Sequence, residues 1–321
     1  METREATVVK NAGSHYLLSE LPLWDPFPAV LKGKVRLSGS AATNPVAVGD
    51  RVRYLPAGEE GGKPSLLHPA TIAEVLPRKN YLIRKSTNLS RQAHVLAANV
   101  DMAYLIVSLY FPEIKLPFLD RMLVTCEVYG IPVTIVMNKV DLYREEAPDY
   151  VADFHRIYEG AGYRVLETSV LTGEGIQALR EDCMGKICLF SGESGVGKSS
   201  LIKALDPRLD PKIGMISQAH LQGKHTTSLY EMYRADWGPD AQAYIIDTPG
   251  LRGFGLVDLE KEEIALYFPE MLRLSRQCRF TPCTHTHEPG CAVKEAVEQG
   301  LVSAERYNSY LGMLEEDSKF R

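Results

Sequence analysis

Hydrophobic and polar residues alternate in several short runs before residue 95. Clear examples lie at 34–37, 50–55, 71–75 and 81–84. A period of two is typical of half-buried β-strands, and glycine and proline residues separate these runs. The pattern predicts a small β-barrel. A five-stranded oligonucleotide-binding (OB) barrel fits the length, although an SH3-like barrel fits the same pattern.

From about residue 100 the pattern changes to buried strands that alternate with helices. We predict strands at 102–108, 131–137, 163–166, 186–190 and 243–246, and helices at 118–129, 150–160, 175–184 and 199–205. Such alternation predicts a mostly parallel sheet that is covered by helices on both faces.

The C-terminal region is predicted to be mostly helical, with helices at 260–268 and 303–314. Ser303 is the expected N-cap of the second helix. A helical period would place four apolar or aromatic residues of this helix on one face, namely Tyr307, Tyr310, Leu311 and Leu314.

Composition supports globular domains and excludes a membrane span. The chain has 321 residues, a length that is enough for two or three domains, and 45% of its residues are hydrophobic, which is enough to form their cores. Its longest apolar runs fall far below the roughly 18 residues that cross a bilayer. Residues 1–10 do not resemble a secretory signal. We therefore predict a cytoplasmic protein with domains at residues 1–95, 96–256 and 257–321.

The net charge of -5 is unevenly distributed. Residues 1–95 carry 13 Lys and Arg residues against 8 Asp and Glu residues, so the N-terminal region is basic and the remainder is acidic. A basic module is often a contact for phosphate backbones, but this excess also fits an ordinary solvated surface.

A phosphate-binding loop is predicted at Gly192-Glu-Ser-Gly-Val-Gly-Lys-Ser199. The segment follows an apolar strand and opens a helix, as the phosphate-loop motif requires. Lys198 would reach the β and γ oxygens, and Ser199 would ligate Mg²⁺. The predicted nucleotide contacts of this loop are Gly192, Glu193, Ser194, Gly195, Val196, Gly197, Lys198, Ser199 and Ser200.

A guanine-binding motif is predicted at Asn138-Lys-Val-Asp141, at the end of another buried strand. Asn138 would face the major-groove edge of guanine, and Lys139 would lie along the ring. Asp141 would accept from N1–H and the 2-amino group, which adenine lacks, so the motif favours GTP over ATP. A backbone N–H near Ser169 could meet O6. The predicted base-side contacts are Asn138, Lys139, Val140, Asp141 and Ser169.

The two motifs occur in an unusual order. Asn138 precedes Gly192 by 54 residues, whereas the phosphate loop comes first in ordinary GTPases. If both motifs are real, the nucleotide-binding domain is circularly permuted.

A second phosphate-sensing segment is predicted at Asp247-Thr-Pro-Gly250, directly after an apolar strand. Asp247 would support the Mg²⁺ ion, and Gly250 would present its N–H to the γ-phosphate. Between the two phosphate segments, either Thr226 or Thr227 could complete the Mg²⁺ shell. The sequence does not choose between these two threonines.

The usual water-orienting residue is not found in the sequence, so either hydrolysis is slow until a partner rearranges the site, or another group orients the attacking water. Leu251 stands where many GTPases carry a glutamine, so no carboxamide is available there. His225 is the nearest candidate along the chain, and Lys198, Thr226 and Thr227 complete the predicted catalytic set. A role for His225 in packing alone is equally open.

A zinc site is predicted near the C-terminus. Cys278, Cys283, His285 and Cys291 offer three thiolates and one imidazole, the set that a closed tetrahedral Zn²⁺ site uses. His287 is a rival fourth ligand, and a redox pair or surface thiols is the alternative reading. Four protein ligands leave no open position for water, so we interpret the ion as structural.

With these motifs in this order, the chain resembles the bacterial ribosome small subunit-dependent GTPase A family. Other matching residues are Pro77, Arg78, Arg84, Ala98, Asn99, Val100, Asp101, Leu119, Asp120, Arg121, Glu288, Pro289, Arg306, Tyr307 and Tyr310. The resemblance covers nearly the whole chain and implies a GTPase that binds the small ribosomal subunit and its rRNA late in maturation. It also implies ribosome-stimulated hydrolysis of GTP to GDP and phosphate, with His225 as the mobile-loop histidine.

The predicted fold is therefore α/β: a circularly permuted P-loop GTPase domain with an N-terminal OB-type barrel and a C-terminal, mostly helical zinc-binding domain. Expected cofactors are GTP or GDP, Mg²⁺ and one structural Zn²⁺. Expected partners are the small subunit and its rRNA, without DNA or membrane, and the chain is expected to be a monomer. The alternatives are a GTP-dependent RNA-binding assembly factor in which nucleotide acts as a clamp and hydrolysis is incidental, and a zinc-bearing ATPase.

Overall fold

The computed structural model describes residues 3–31, 46–57, 63–85, 93–209, 230–247 and 259–315. The chain forms two structural units. The first comprises Met1–Met102, Arg180–Ser191 and Ser199–Gly250, and the second comprises Ala103–Leu179, Gly192–Lys198 and Leu251–Arg321. The division into three functional domains stays a prediction.

The first unit contains a closed five-stranded barrel. Its strands are β1 (Arg4–Ala12), β2 (His15–Ser19), β3 (Phe27–Leu31), β4 (Arg51–Leu55) and β5 (Ala70–Val75). Their order is β1-β2-β3-β5-β4, and β4 pairs back with β1. β3 and β5 run parallel, whereas the other neighbours are antiparallel. This connectivity is that of the OB fold, and it removes the SH3-like alternative.

The sequence pattern identified some of these strands and missed others. The runs at 50–55 and 71–75 are β4 and β5, whereas the run at 34–37 lies outside the described residues. β1 was not predicted, because four consecutive residues at its centre are buried and no alternation results. The barrel core is formed by side chains from all five strands, including Val8, Leu18, Ala29, Val52 and Ile72.

The predicted strand at 81–84 exists, but it does not belong to the barrel. It is β6 (Tyr81–Lys85), which pairs antiparallel with β7 (Ala93–Ala98) in a separate two-stranded sheet. The predicted barrel therefore contained one strand that the structure places elsewhere. The boundary expected at residue 95 falls inside β7.

The second unit carries three parallel strands and two long helices. The strands are β8 (Met102–Val107), β9 (Val133–Asn138) and β10 (Arg164–Thr168), and the helices are α1 (Leu116–Val128) and α2 (Pro148–Ala161). Pro117 and Pro148 lie in the first turns of their helices, where no intrahelical N–H donor is needed. α2 ends at Gly162, whose φ of +111° suits a helix C-cap.

The next part of the chain completes the predicted strand and helix alternation. It contains α3 (Ile176–Cys183), β11 (Ile187–Gly192), α4 (Lys198–Leu205), β12 (Glu231–Asp236) and β13 (Gln242–Asp247). β11 and β13 run parallel, and β12 pairs antiparallel with β13. β12 was not predicted. It also pairs with β1 at Lys10 and Glu231, whose side chains form a salt bridge of 3.1 Å.

The C-terminal segments are helical, as predicted. A 3-10 helix (Lys261–Tyr267) is followed by α5 (Pro269–Ser275), α6 (Ala292–Glu298) and α7 (Ala304–Glu315). The first segment is therefore not the expected α-helix. It ends at Phe268, which precedes a proline and takes an extended conformation. Ser303 caps α7 as predicted, since its hydroxyl accepts from the N–H of Arg306 at 3.2 Å. Across the described ranges, no helix has the length and apolar character to cross a membrane.

Candidate nucleotide and metal sites

The predicted phosphate loop joins the end of β11 to the start of α4. A Cβ atom on Gly192 would lie 2.4 Å from the main-chain oxygen of Ile106, so a larger residue does not fit there. Gly197 has a φ of +93°, and a Cβ atom on it would lie 2.5 Å from Nδ2 of Asn138. The glycines therefore allow the loop to pass against the segment that carries the guanine motif.

Asn138 connects three segments of the second unit. Its Nδ2 donates to the main-chain oxygen of Val196 at 2.9 Å, and its Oδ1 accepts from the hydroxyl of Thr168 at 3.0 Å. The hydroxyl of Tyr143 donates to the main-chain oxygen of Asn138 at 2.6 Å. This buried carboxamide therefore holds the phosphate loop in place. Its contact with the base stays a prediction.

Lys139 is held between the phosphate loop and a second loop. Its Nζ donates to the main-chain oxygens of Gly195 and Phe111, both at 2.6 Å. The residue itself has a φ of +65°. Because both ends of the side chain are fixed, its alkyl chain has a defined direction, which suits the predicted position along the guanine ring.

Asp141 and Ser169, two of the predicted base-side contacts, lie next to each other. Asp141 is exposed, and its carboxylate accepts a hydrogen bond from the hydroxyl of Ser169. The N–H of Ser169 donates to the main-chain oxygen of Glu174 at 3.0 Å. A backbone donor for O6 would therefore come from a neighbouring residue of this loop. Val140 is fully buried and anchors the short 3-10 helix, Val140–Leu142, that presents Asp141.

Asp247 is the last residue of β13, where the sequence placed it. It lies level with Phe190 in the parallel pairing with β11, so these two strands end at the same edge of the sheet. Asp247 is buried. Ser199 and Ser200 lie in the first turn of α4, directly after Lys198.

The remaining predicted phosphate contacts lie outside the described residues. They are His225, Thr226, Thr227 and Gly250, and Leu251 lies outside them too. Their roles in orienting water and in contacting Mg²⁺ and the γ-phosphate stay predictions. The choice between Thr226 and Thr227 also stays open.

The predicted zinc ligands converge in the second unit. One donor atom from each of Cys278, Cys283, His285 and Cys291 lies within 4.8 Å of the other three. Nδ1 of His285 is 3.3 Å from Sγ of Cys291 and 3.6 Å from Sγ of Cys278. These separations fit a tetrahedron around Zn²⁺ with Zn–S bonds of about 2.3 Å. The rival His287 is exposed and is not part of this group.

Two tyrosines of α7 hold the loop that carries these ligands. The hydroxyl of Tyr307 donates to the main-chain oxygen of His285 at 2.5 Å, and that of Tyr310 donates to Thr284 at 2.5 Å. Burial raises the pKa of Cys283 to about 12 and lowers the pKa of His285. A bound cation would therefore displace protons from the thiols, which is how metal affinity becomes pH-dependent.

A buried ion cluster joins α1, α5 and α7. Nη1 of Arg306 donates to Asp120 at 2.8 Å, and its Nε donates to Glu270 at 2.6 Å. All three residues are buried, and the ring of Phe268 lies 4.7 Å from the guanidinium carbon. Burial raises the pKa of Asp120, and the charge of Arg306 opposes that shift. Asp120 and Arg306 match the family pattern, but no role was predicted for them from the sequence.

Two residues around the nucleotide motifs were missed. Phe111 lies in the loop after β8, and Tyr143 follows Asp141 by two positions. Proximity to the guanine motif was the available signal for Tyr143. The signal for Phe111 was weaker. Its loop follows a predicted parallel strand, and ligands bind at the carboxyl ends of such strands.

The sequence matches a known family model and a named relative. The family model described as RsgA GTPase matches residues 75–257. The chain is 47% identical over 319 residues to the small ribosomal subunit biogenesis GTPase RsgA of Bacteroides fragilis, and the match covers 98% of each chain.

Two solved structures also match nearly the whole chain. The crystal structure of YjeQ from Thermotoga maritima has a TM-score of 0.77 and 34% identity, and the match covers 98% of both chains. That of YloQ, described as a circularly permuted GTPase, has a TM-score of 0.69 and 25% identity, and covers 98% of this chain and 94% of that one. The likeness confirms the predicted circular permutation.

Proposed function

The chain belongs to the RsgA GTPase family, and from that premise we propose that it couples GTP hydrolysis to biogenesis of the small ribosomal subunit. GTP hydrolysis is the activity of the family. The relative from Bacteroides fragilis is named for small ribosomal subunit biogenesis, which supports the choice of partner.

One observation carries the proposed nucleotide site. Asn138 and Lys139 make three hydrogen bonds to the main chain of nearby loops, and two of these bonds are to Val196 and Gly195 of the phosphate loop. The two motifs are far apart in sequence, yet they form one continuous site. A single guanine nucleotide can therefore place its base at one motif and its phosphates at the other.

Within this site each residue has a proposed role. Asp141 accepts from the guanine N1–H and 2-amino groups, and its hydrogen bond from Ser169 fixes the direction of the carboxylate. Lys198 and the N–H groups of the phosphate loop bind the β- and γ-phosphates. The adenine of ATP would offer Asp141 neither of these two donors, so the site selects GTP.

Mg²⁺ would neutralise charge on the phosphate oxygens when it is bound with GTP. Ser199 at the start of α4 and Asp247 at the end of β13 are the residues that would hold it, together with Thr226 or Thr227. We propose His225 as the group that orients water, since position 251 is a leucine. Gly250 would donate its N–H to the γ-phosphate.

The Cys278, Cys283, His285 and Cys291 cluster is proposed to hold one structural Zn²⁺. Three sulfur donors and one nitrogen donor match the preference of zinc. The loop around them is short and is held by Tyr307, so the ion would fix its conformation rather than take part in chemistry.

The barrel is the proposed contact with rRNA. OB barrels bind nucleic acid with one face and the loops around it, including the loop between β4 and β5. In this chain that loop carries Leu66 and Leu67, which are 86% and 88% exposed. We further propose that the protein acts as a cytoplasmic monomer without a DNA or membrane partner.

The proposal is tested by measuring GTP turnover with and without purified small ribosomal subunits. We expect small subunits to increase the rate, with large subunits and the Lys198→Ala variant as controls. A rate that small subunits leave unchanged contradicts the coupling.

The nucleotide choice has a separate test. Asp141→Asn should move the preference from guanosine to xanthosine nucleotides, because the new amide donates where the carboxylate accepted. A variant with unchanged preference contradicts the role of Asp141.

A further inference from the structure

The loop between β8 and α1 is held firmly against the guanine motif. The hydroxyl of Ser108 donates to the main-chain oxygen of Tyr110 at 2.5 Å. The ring of Tyr110 packs against those of Tyr143 and Tyr150, with centroids 6.0 Å and 5.8 Å apart. Tyr143 in turn donates to the main chain of Asn138. The backbone of Phe111 is therefore fixed from the preceding side.

Phe111 also contacts the base-side lysine directly. Its main-chain oxygen accepts from Nζ of Lys139 at 2.6 Å, and the same Nζ donates to Gly195 at 2.6 Å. Pro112, the next residue, lies 3.5 Å from where a Cβ atom on Gly195 would be. The Phe111 backbone thus lies where Lys139 meets the phosphate loop.

The conformation and environment of Phe111 are both unfavourable. Its φ is +54°, in the left-handed region that bulky residues rarely adopt. Its side chain is 79% exposed, so the ring is not stabilised by burial in the protein. Such a residue persists only where the surroundings or a function require it.

The carbonyl contact alone does not explain the phenylalanine. Glycine or asparagine would adopt the same φ with less strain and would leave no apolar ring in water. The main-chain oxygen would then serve Lys139 equally well. The ring is therefore the part of Phe111 that needs a function.

We propose that the ring of Phe111 packs against the guanosine portion of the bound nucleotide, beside Lys139. An aromatic side chain and an exposed purine both gain when they stack and exclude water. The exposure of the ring leaves it accessible to the ligand. This inference rests on the proposed GTP site and adds to it a residue that sets nucleotide affinity.

The test compares the affinity for GDP of the full-length protein and of Phe111→Gly, measured by calorimetry. Removal of the ring should weaken GDP binding about tenfold. The glycine relieves backbone strain, so thermal stability without nucleotide should stay equal or rise, which separates lost contact from lost folding. Phe111→Leu should fall between the two, and Phe280→Ala, which removes a half-exposed ring elsewhere, should bind GDP normally.

A fluorescence measurement gives an independent readout. Phe111→Trp adds a reporter to a chain that has two tryptophans, and GDP should change its emission beyond the change in the parent protein. Phe111→Gly that binds GDP as tightly as the parent, or a reporter that does not respond, overturns the inference. If the parent protein itself fails to bind GDP, the proposed GTP site is wrong instead.

Discussion

Nδ2 of Asn138 donates to the main-chain oxygen of Val196 at 2.9 Å, although the two residues are 58 positions apart. The bond joins the guanine motif to the phosphate loop in a chain where their order is reversed. Because Asn138 also accepts from Thr168, its carboxamide is satisfied on both sides. The guanine motif and the phosphate loop are therefore held together by the same buried group.

Replacement of Asn138 should consequently weaken nucleotide binding. Asn138→Ala leaves a buried carbonyl and a buried hydroxyl without partners, at a cost of about 1–3 kcal/mol each. We expect the affinity for GDP, measured by calorimetry, to fall at least about tenfold. Asn308→Ala, at an exposed position on α7, is the matched control and should bind normally. Unchanged affinity in Asn138→Ala would show that the loop keeps its shape without this bond.

Zinc content should depend on the four converging residues and not on their neighbour. Purified protein should carry one Zn²⁺ ion by elemental analysis, and Cys283→Ser should lose it and melt several degrees lower, because the ion fixes the loop. His287→Ala is the control and should retain zinc, since His287 is exposed. Loss of zinc in His287→Ala would instead identify that residue as the fourth ligand.

The buried charges around Arg306 give a stability prediction. Arg306→Met leaves Asp120 and Glu270 buried without their cation, which should cost about 3–5 kcal/mol in urea unfolding. Arg156→Met, which removes an exposed salt bridge of 3.0 Å to Asp153, should change stability by less than about 0.5 kcal/mol.

A combined variant tests the reason for that loss. Arg306→Met with Asp120→Leu and Glu270→Met removes all three charges, and it should recover much of the stability. If the combined variant stays as unstable as Arg306→Met, packing of the Arg306 side chain is the cause and the charge argument fails.

Acidic pH should remove the contribution that Asp206, the residue after α4, makes to the stability of the folded state. Asp206 accepts from Nη2 of Arg208 at 2.7 Å and from the N–H of Asp236 at 3.1 Å. The hydrogen bonds from Arg208 lower the pKa of Asp206 to about 2. A lowered pKa in the folded state means that the contribution is complete above the unfolded value of about 3.9 and is lost as pH falls toward 2.

The matching measurement is the melting temperature of Asp206→Asn and of the parent protein as a function of pH. The parent should be more stable near neutral pH, and the difference should shrink between about pH 4 and pH 2. Asp240→Asn, at an exposed position, should follow the parent throughout. A difference that does not vary with pH would assign the effect of Asp206 to hydrogen-bond geometry and not to its charge.

The motifs formed by contiguous residues could be predicted from the sequence, whereas contacts between residues far apart in the chain could not. The phosphate loop and the guanine motif were found because their residues are contiguous and follow buried strands. The link between Phe111 and Lys139 was missed because it involves a main-chain oxygen, and any side chain provides one. The choice between His285 and His287 was open for a related reason, since burial and not spacing separates them.

The errors in the predicted fold also come from interactions between distant parts of the chain. β1 carries no alternation because four consecutive residues at its centre are buried, which a period of two does not describe. The strand at 81–84 has the correct pattern for a barrel, but its partner is β7 and not a barrel strand. The hydrophobic pattern identifies a strand, whereas the strand with which it pairs depends on the whole chain.

The cluster of Arg306 with Asp120 and Glu270 has a consequence for any attempt to shorten the protein. Asp120 belongs to α1, which precedes the guanine motif, and its counter-ion comes from α7, 186 positions later. A fragment that ends before α7 would retain the nucleotide motifs but lack the cation that pairs with Asp120 and Glu270. The C-terminal helices are therefore required for the minimal folded nucleotide-binding fragment, and we expect shorter fragments to be insoluble.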